Sequence, residues 1–160
     1  MCGIDLNQIL RESLPRWTQA EFLFLESEPW WAPSVQTELA RTATTELQLR
    51  FGNAISLSGS TTDYRCHSVR TTRSIYEQVR TGRVAGVVLI VEQQMRDSLL
   101  LLGRLSRLGR PCPPVLLVIP RNTLPLMPLL LESGAAAVMV QMVTDIQVAD
   151  WCRRAAAAMV

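Results

Sequence analysis

Apolar residues in this chain come in short continuous runs that alternate with longer stretches of mixed character. The runs at 22–25, 85–91, 115–119 and 136–140 have the length of strands that are buried on both faces. In the stretches between them, apolar residues recur every three or four positions, as on one side of an amphipathic helix. The pattern therefore predicts strands and helices in alternation.

Local signals refine these elements. The predicted helices lie at 34–49, 72–81, 97–108, 126–133 and 144–158. Pro33 suits a first helical turn, Thr144 can cap the last helix, and Gly134 can end the helix before it. A further strand is predicted at 54–58, and the polar stretch 59–72 is predicted to be a loop. Spaced apolar residues within 1–20 predict a short helix that ends near Pro15.

Strict alternation of strands and helices is typical of an open parallel sheet with helices on both faces. Because crossovers are right-handed, five strands in 160 residues fit the flavodoxin-like order 2-1-3-4-5. The predicted fold is an α/β, doubly wound three-layer sandwich at 21–160, with a short N-terminal helical extension at 1–20. Ligands of such sheets bind at the carboxyl ends of the strands.

Composition narrows the class of protein further. A hydrophobic content of 48% with 19% charged residues is typical of a compact domain, and a net charge of +2 does not by itself indicate nucleic acid. The four cysteines lack the spacing of a zinc site or a disulfide framework. No signal peptide and no run long enough to cross a bilayer is visible. We expect a cytoplasmic protein that binds neither nucleic acid nor membrane.

The run from Pro114 to Met142 reads as strand, loop, helix, glycine turn and strand. It resembles the receiver domain of bacterial response regulators, and the similarity extends more weakly over 20–158. The resemblance implies that acidic residues after the first strand hold magnesium and that an aspartate after the third strand accepts a phosphoryl group. Glu26 and Glu28 stand at the first position, and Glu92 stands at the second.

Three other residues that the family uses are replaced in this chain by residues of different chemistry. The family has a threonine or serine at the end of the fourth strand, where this chain has Ile119. Its lysine after the fifth strand corresponds to Gln141, and its aromatic switch residue corresponds to Val138. The chain contains no lysine at all. Because the lysine pairs with charge that develops during phosphoryl transfer, its loss predicts that the activity is absent.

The resemblance therefore implies a degenerate receiver, or pseudo-receiver. Such a module would be a non-enzymatic protein–protein interaction or regulatory domain in bacterial signalling. No cofactor is expected, and magnesium at Glu26 and Glu28 is the only exception that we consider. Glu92 is interpreted either as a solvated strand end or as a mimic of a phosphorylated acid.

Two features indicate where a partner could bind. Trp30 and Trp31 follow the first strand, and a solvent-facing pair of large rings would indicate a partner or planar ligand, whereas burial of one ring would indicate packing. The leucine-rich runs carry more apolar surface than one helix stripe needs. Because the resembling family dimerises through its fourth helix and fifth strand, we expect a protein partner or homodimer there.

Alternatives from other classes stay open. A flavodoxin-like sensor could bind a small ligand through Glu26, Trp30, Glu92 and Gln141, in which case these side chains should converge on one pocket. The basic stretch 65–83 could contact phosphate or an acidic protein surface, although a solvated basic face is the simpler interpretation. An enzyme would need a nucleophile beside a base, and adjacent Cys66 and His67 point to opposite faces of an extended segment.

Overall fold

A five-stranded parallel sheet forms the centre of the molecule. The structure is a computed structural model that describes residues 18–51, 62–92, 95–109 and 111–158. The strands are β1 Thr18–Leu25, β2 Thr62–Val69, β3 Gly86–Ile90, β4 Val115–Ile119 and β5 Ala137–Val140. The helices are α1 Trp31–Phe51, α2 Thr72–Thr81, α3 Met95–Leu105, a 3₁₀ helix Arg121–Leu126, α4 Met127–Glu132 and α5 Asp145–Ala157. The strand order β2-β1-β3-β4-β5 confirms the predicted topology.

Helices cover both faces of the sheet. On one face α1 and α5 enclose a cluster that includes Phe22, Phe24 and Trp151. On the other face α2, α3 and α4 enclose a second cluster that includes Leu89 and Leu117. The apolar runs of β3 and β4 are continuous because alternate residues of each strand face different clusters, as in other parallel sheets.

Most helix ends lie close to the predicted ones. Helix α2 has the predicted bounds, whereas α1 and α3 begin a few residues earlier than expected. The fourth helix, predicted at 126–133, is found as α4 within those bounds, and a 3₁₀ helix that contains Pro125 precedes it. The predicted cap of α5 is confirmed, since the Thr144 side chain accepts from the Gln147 backbone N–H and the Gln147 side chain accepts from the Thr144 N–H. Gly134 lies in the turn after α4 with a φ of +106°, a conformation that favours glycine.

The second strand is the main correction to the predicted elements. The prediction of a loop at 59–72 is wrong for Thr62–Val69. These residues form β2, which pairs with β1 along eight residues. β2 is an edge strand, so it needs few inward apolar side chains, and Tyr64 and Cys66 supply them on one face. The predicted strand at 54–58 and the predicted N-terminal helix lie outside the described residues. β1 already begins at Thr18.

Gly86 lets α5 pack closely on the sheet. A Cβ at this position would lie 2.8 Å from Phe22 Cε1 and 3.1 Å from Trp151 Cη2. The rings of Phe22 and Trp151 already meet edge to face, with centroids 6.4 Å apart. Any side chain at position 86 must therefore displace rings that are packed in the core.

We predict that Gly86→Ala lowers the free energy of unfolding by about 1–3 kcal/mol, the usual effect of overpacking a core. The measurement is unfolding in urea, monitored by tryptophan fluorescence. Gly103→Ala is the matched control, because a Cβ there meets nothing within 4 Å and alanine is the better helix former. If both variants were equally stable, the close contact at Gly86 would not limit packing.

Candidate functional site

The carboxyl ends of the parallel strands bring several predicted residues to one edge of the sheet. Glu26 directly follows β1, and Glu92 comes two residues after β3. Gln141 directly follows β5, while Ile119 is the last residue of β4. The loops after β1, β2 and β3 surround an open cleft of about 520 Å³ at this edge.

Glu26 is buried and caps the start of α1. Only 4% of the residue is exposed. Its Oε2 accepts from the backbone N–H groups of Trp30 (3.1 Å) and Trp31 (2.7 Å), and its Oε1 accepts from the N–H of Ala32 (3.1 Å). The hydroxyl of Ser68 on β2 donates a hydrogen bond to the same Oε1. The carboxylate thus satisfies free donors at the positive end of a helix, where an anion is stabilised.

This donor set does not fit magnesium well. Both oxygens of Glu26 already accept hydrogen bonds, and Glu28 is an exposed residue of the following turn. Within the described part of the chain, no three His, Cys, Asp or Glu side chains lie together in a way that could hold a metal ion. Magnesium prefers several converging oxygen ligands in octahedral geometry. We therefore derive no chemistry through a metal at Glu26 and Glu28.

Glu92 and Gln141 make weaker contacts at the surface. Glu92 is exposed, and its Oε2 accepts from the Ser27 hydroxyl at 2.8 Å, which connects the loops after β1 and β3. Gln141 is also exposed, and its Nε2 donates to the Val91 carbonyl over 3.4 Å. The amide therefore reaches the residue next to Glu92. It carries no charge with which to pair an anion.

Ile119 and Val138, which correspond to a hydroxyl residue and an aromatic residue of the resembling family, are packed alkyl side chains. Ile119 is fully buried within the cluster under α2, α3 and α4. Val138 is half-buried and packs against the same cluster. Neither side chain can donate a hydrogen bond to a group bound at the strand ends.

The two tryptophans occupy different environments. Trp30 is 58% exposed, whereas Trp31 is half-buried and packs against the cluster under α1 and α5. Their rings meet edge to face, with centroids 4.8 Å apart. Since both backbone N–H groups donate to Glu26, the same carboxylate fixes the position of both residues. One ring is thus structural, and the other is available for contact.

The cleft brings together only part of the predicted ligand set. Glu26 and Glu92 line it, whereas Trp30 and Gln141 do not. Residues after β2 also line it, including Arg70 and Thr71. Both lie in the basic stretch 65–83, but the sequence did not place them beside Glu26 because β2 was predicted at 54–58. The alternation of Tyr64 and Cys66 was a signal for the true strand.

Cys66 and His67 do not form a nucleophile and base pair. Cys66 packs against the cluster under α1 and α5, while the neighbouring His67 is exposed. Burial raises the pKa of the Cys66 thiol to about 12, so the thiolate is scarce at neutral pH.

The fold is shared with solved receiver domains. A signal receiver domain of a histidine kinase from Syntrophus aciditrophicus is 20% identical, with 87% of this chain and 91% of that chain covered and a TM-score of 0.55. The receiver domain of a response regulator from Bacteroides fragilis is 15% identical, with 87% and 98% covered and a TM-score of 0.57.

A third solved structure, the receiver domain of a sensor histidine kinase from Pseudomonas aeruginosa, has a magnesium ion in its active-site cleft. It is 12% identical, with 88% of this chain and 99% of that chain covered and a TM-score of 0.54. No family model and no curated protein matches the chain. The chain therefore has a receiver-like domain, and the likeness defines its fold.

Proposed function

We propose that the protein is a pseudo-receiver that binds another protein and performs no phosphoryl transfer. The observation that carries the proposal is Gln141 at the end of β5, in a chain without lysine. Phosphoryl transfer depends on cationic groups that stabilise charge on the transferred oxygens. An exposed neutral amide cannot supply that stabilisation.

The surroundings of Gln141 support the same proposal. Glu26 is engaged by the N-terminus of α1, and Ile119 is packed where a hydroxyl would be needed to contact a phosphoryl group. Without a hydroxyl at position 119 and an aromatic switch at position 138, the chain lacks the means to report phosphorylation. We infer a regulatory role in bacterial signalling, in the cytoplasm. None of the described helices is long and apolar enough to cross a membrane.

The proposed partner surface is formed by α4 and β5. Four leucines of the 3₁₀ helix and α4 are 42–50% exposed, and they are Leu124, Leu126, Leu129 and Leu131. In α4 only Leu130 is buried. β5 lies at the edge of the sheet, and its four residues are half-buried. Exposed apolar side chains on two successive helical segments, together with an edge strand, favour a protein interface, either with a partner or with a second copy.

Incubation with acetyl phosphate and Mg²⁺, followed by intact-mass spectrometry, tests the chemical part of the proposal. We predict no phosphoryl adduct, because the cationic group is absent. A receiver with a complete site is the positive control. An adduct on the wild-type chain that disappears in Glu92→Gln would contradict the proposal.

A second candidate function is small-ligand sensing at the strand ends. The open cleft of about 520 Å³ favours it, since its volume lies in the range of ligand sites and it has Arg70, Glu92 and Asp97 on its walls. A bound small molecule that is lost in Arg70→Ala would support this function.

A further inference from the structure

The outer side of α3 combines apolar and basic groups on one line. Leu101, Leu102 and Leu105 face the sheet and are buried. Arg96, Leu100 and Arg104 recur every four residues on the opposite side, and all three are exposed. Leu100 is 53% exposed although it lies between two arginines. The helix therefore presents a leucine to solvent between two arginines, with one exposed acid, Asp97, beside Arg96.

Gly103 places a residue without a side chain on the same side of α3. It lies inside the helix, three residues after Leu100, and a Cβ built there meets nothing within 4 Å. Glycine destabilises a helix relative to alanine, and the described part of the molecule gives no steric reason for it here. A glycine does allow the backbone of another chain to approach closely. Gly103 thus points to an external neighbour.

Positive charge is concentrated around α2 and α3. Residues 62–92 and 95–109 contain eight arginines and four acidic residues, whereas 18–51 contain two arginines and five acidic residues. Of those eight arginines, only Arg65 and Arg80 form ion pairs with described residues. α2 and α3 pack side by side, and Arg73 on α2 and Arg96 and Arg104 on α3 are exposed. Exposed positive charge of this kind attracts a negatively charged partner.

We propose that the outer side of α3 binds an acidic amphipathic helix of a protein partner. Glutamates on that helix would pair with Arg96 and Arg104, and an apolar residue would cover Leu100 next to Gly103. Nucleic acid offers no apolar contact of this kind along its phosphates. A bilayer would require more inserted apolar groups than the one large exposed apolar side chain found on the described α2 and α3. This surface is separate from the α4 and β5 surface, so either can exist without the other.

The test uses the full chain and a fluorescein-labelled designed peptide, an 18-residue helix with one leucine stripe between two rows of glutamates. Fluorescence anisotropy at low salt should show binding that weakens as salt is added. We expect Arg104→Glu to weaken binding about tenfold. Arg154→Glu, an equal charge change on α5, should stay within about twofold because Arg154 lies on the opposite face of the sheet.

Gly103→Gln separates binding from folding. Glutamine is the better helix former, so the melting temperature should rise by about 2 °C while peptide affinity falls. The proposal is overturned if the peptide does not bind, or if a peptide with lysines in place of the glutamates binds equally well. It is also overturned if Arg104→Glu and Arg154→Glu behave alike, or if a single-stranded RNA or phosphatidylserine vesicles bind in preference to the acidic peptide.

Discussion

Glu26→Ala should lower the free energy of unfolding by about 3 kcal/mol. The substitution leaves three backbone N–H groups at the start of α1 and the Ser68 hydroxyl without their acceptor. Loss of a helix cap costs about 0.5–2 kcal/mol, and hydrogen bonds to a charged group each contribute about 1.5–3 kcal/mol. The effect is smaller than the sum because water can reach some of the freed donors. Urea unfolding provides the measurement.

Glu28→Ala is the matched control for Glu26→Ala. Glu28 is exposed, so its removal should change stability by less than about 0.5 kcal/mol. Glu26→Gln should fall between the two, because one amide oxygen can still accept hydrogen bonds without the negative charge. Equal stability of the two alanine variants would show that Glu26 is not a structural cap and would reopen its assignment as a metal ligand.

Replacing Leu129 and Leu131 together by glutamate should weaken association through the α4 and β5 surface by about a hundredfold, since buried apolar anchors dominate interfaces. Both side chains are about half exposed in the single chain. Stability of the free protein should therefore change little. Sedimentation velocity over a range of concentrations measures the homodimer, and co-purification measures a separate partner.

Leu130→Ala should show the opposite result to the double glutamate variant, with lower stability and unchanged association. Leu130 is fully buried, so its truncation should destabilise the protein by about 2–5 kcal/mol while the exposed leucines remain in place. Arg154→Glu controls for added negative charge on the other side of the sheet. Unchanged association in the double glutamate variant would place the interface elsewhere.

The fold was predictable wherever strands are covered on both faces. β3 and β4 appear in the sequence as continuous apolar runs because helices pack on each side of them. β2 was not recognised, since an edge strand can carry Asp63, Arg65 and His67 and still pair with β1. α3 contains four consecutive leucines, so the sequence does not show which of them faces solvent. The packing of α3 against the sheet identifies Leu100 as the exposed one.

The candidate site was predictable in position but not in the role of each residue. The acidic residues were expected at the strand ends, and Glu26 and Glu92 both lie there. Helix caps are usually short side chains directly before the helix. Glu26 lies five residues before Trp31 and reaches its donors only because the intervening turn folds back. That geometry has no signature in the spacing of residues.

Native mass spectrometry of the protein purified gently from its own cells tests the central claim most directly. A pseudo-receiver that acts through protein contacts should appear as a homodimer or as a stoichiometric complex with another protein, and the complex should be lost in the Leu129→Glu/Leu131→Glu variant. A monomer that carries a small bound molecule, or a phosphoryl group on Glu92, would contradict this account.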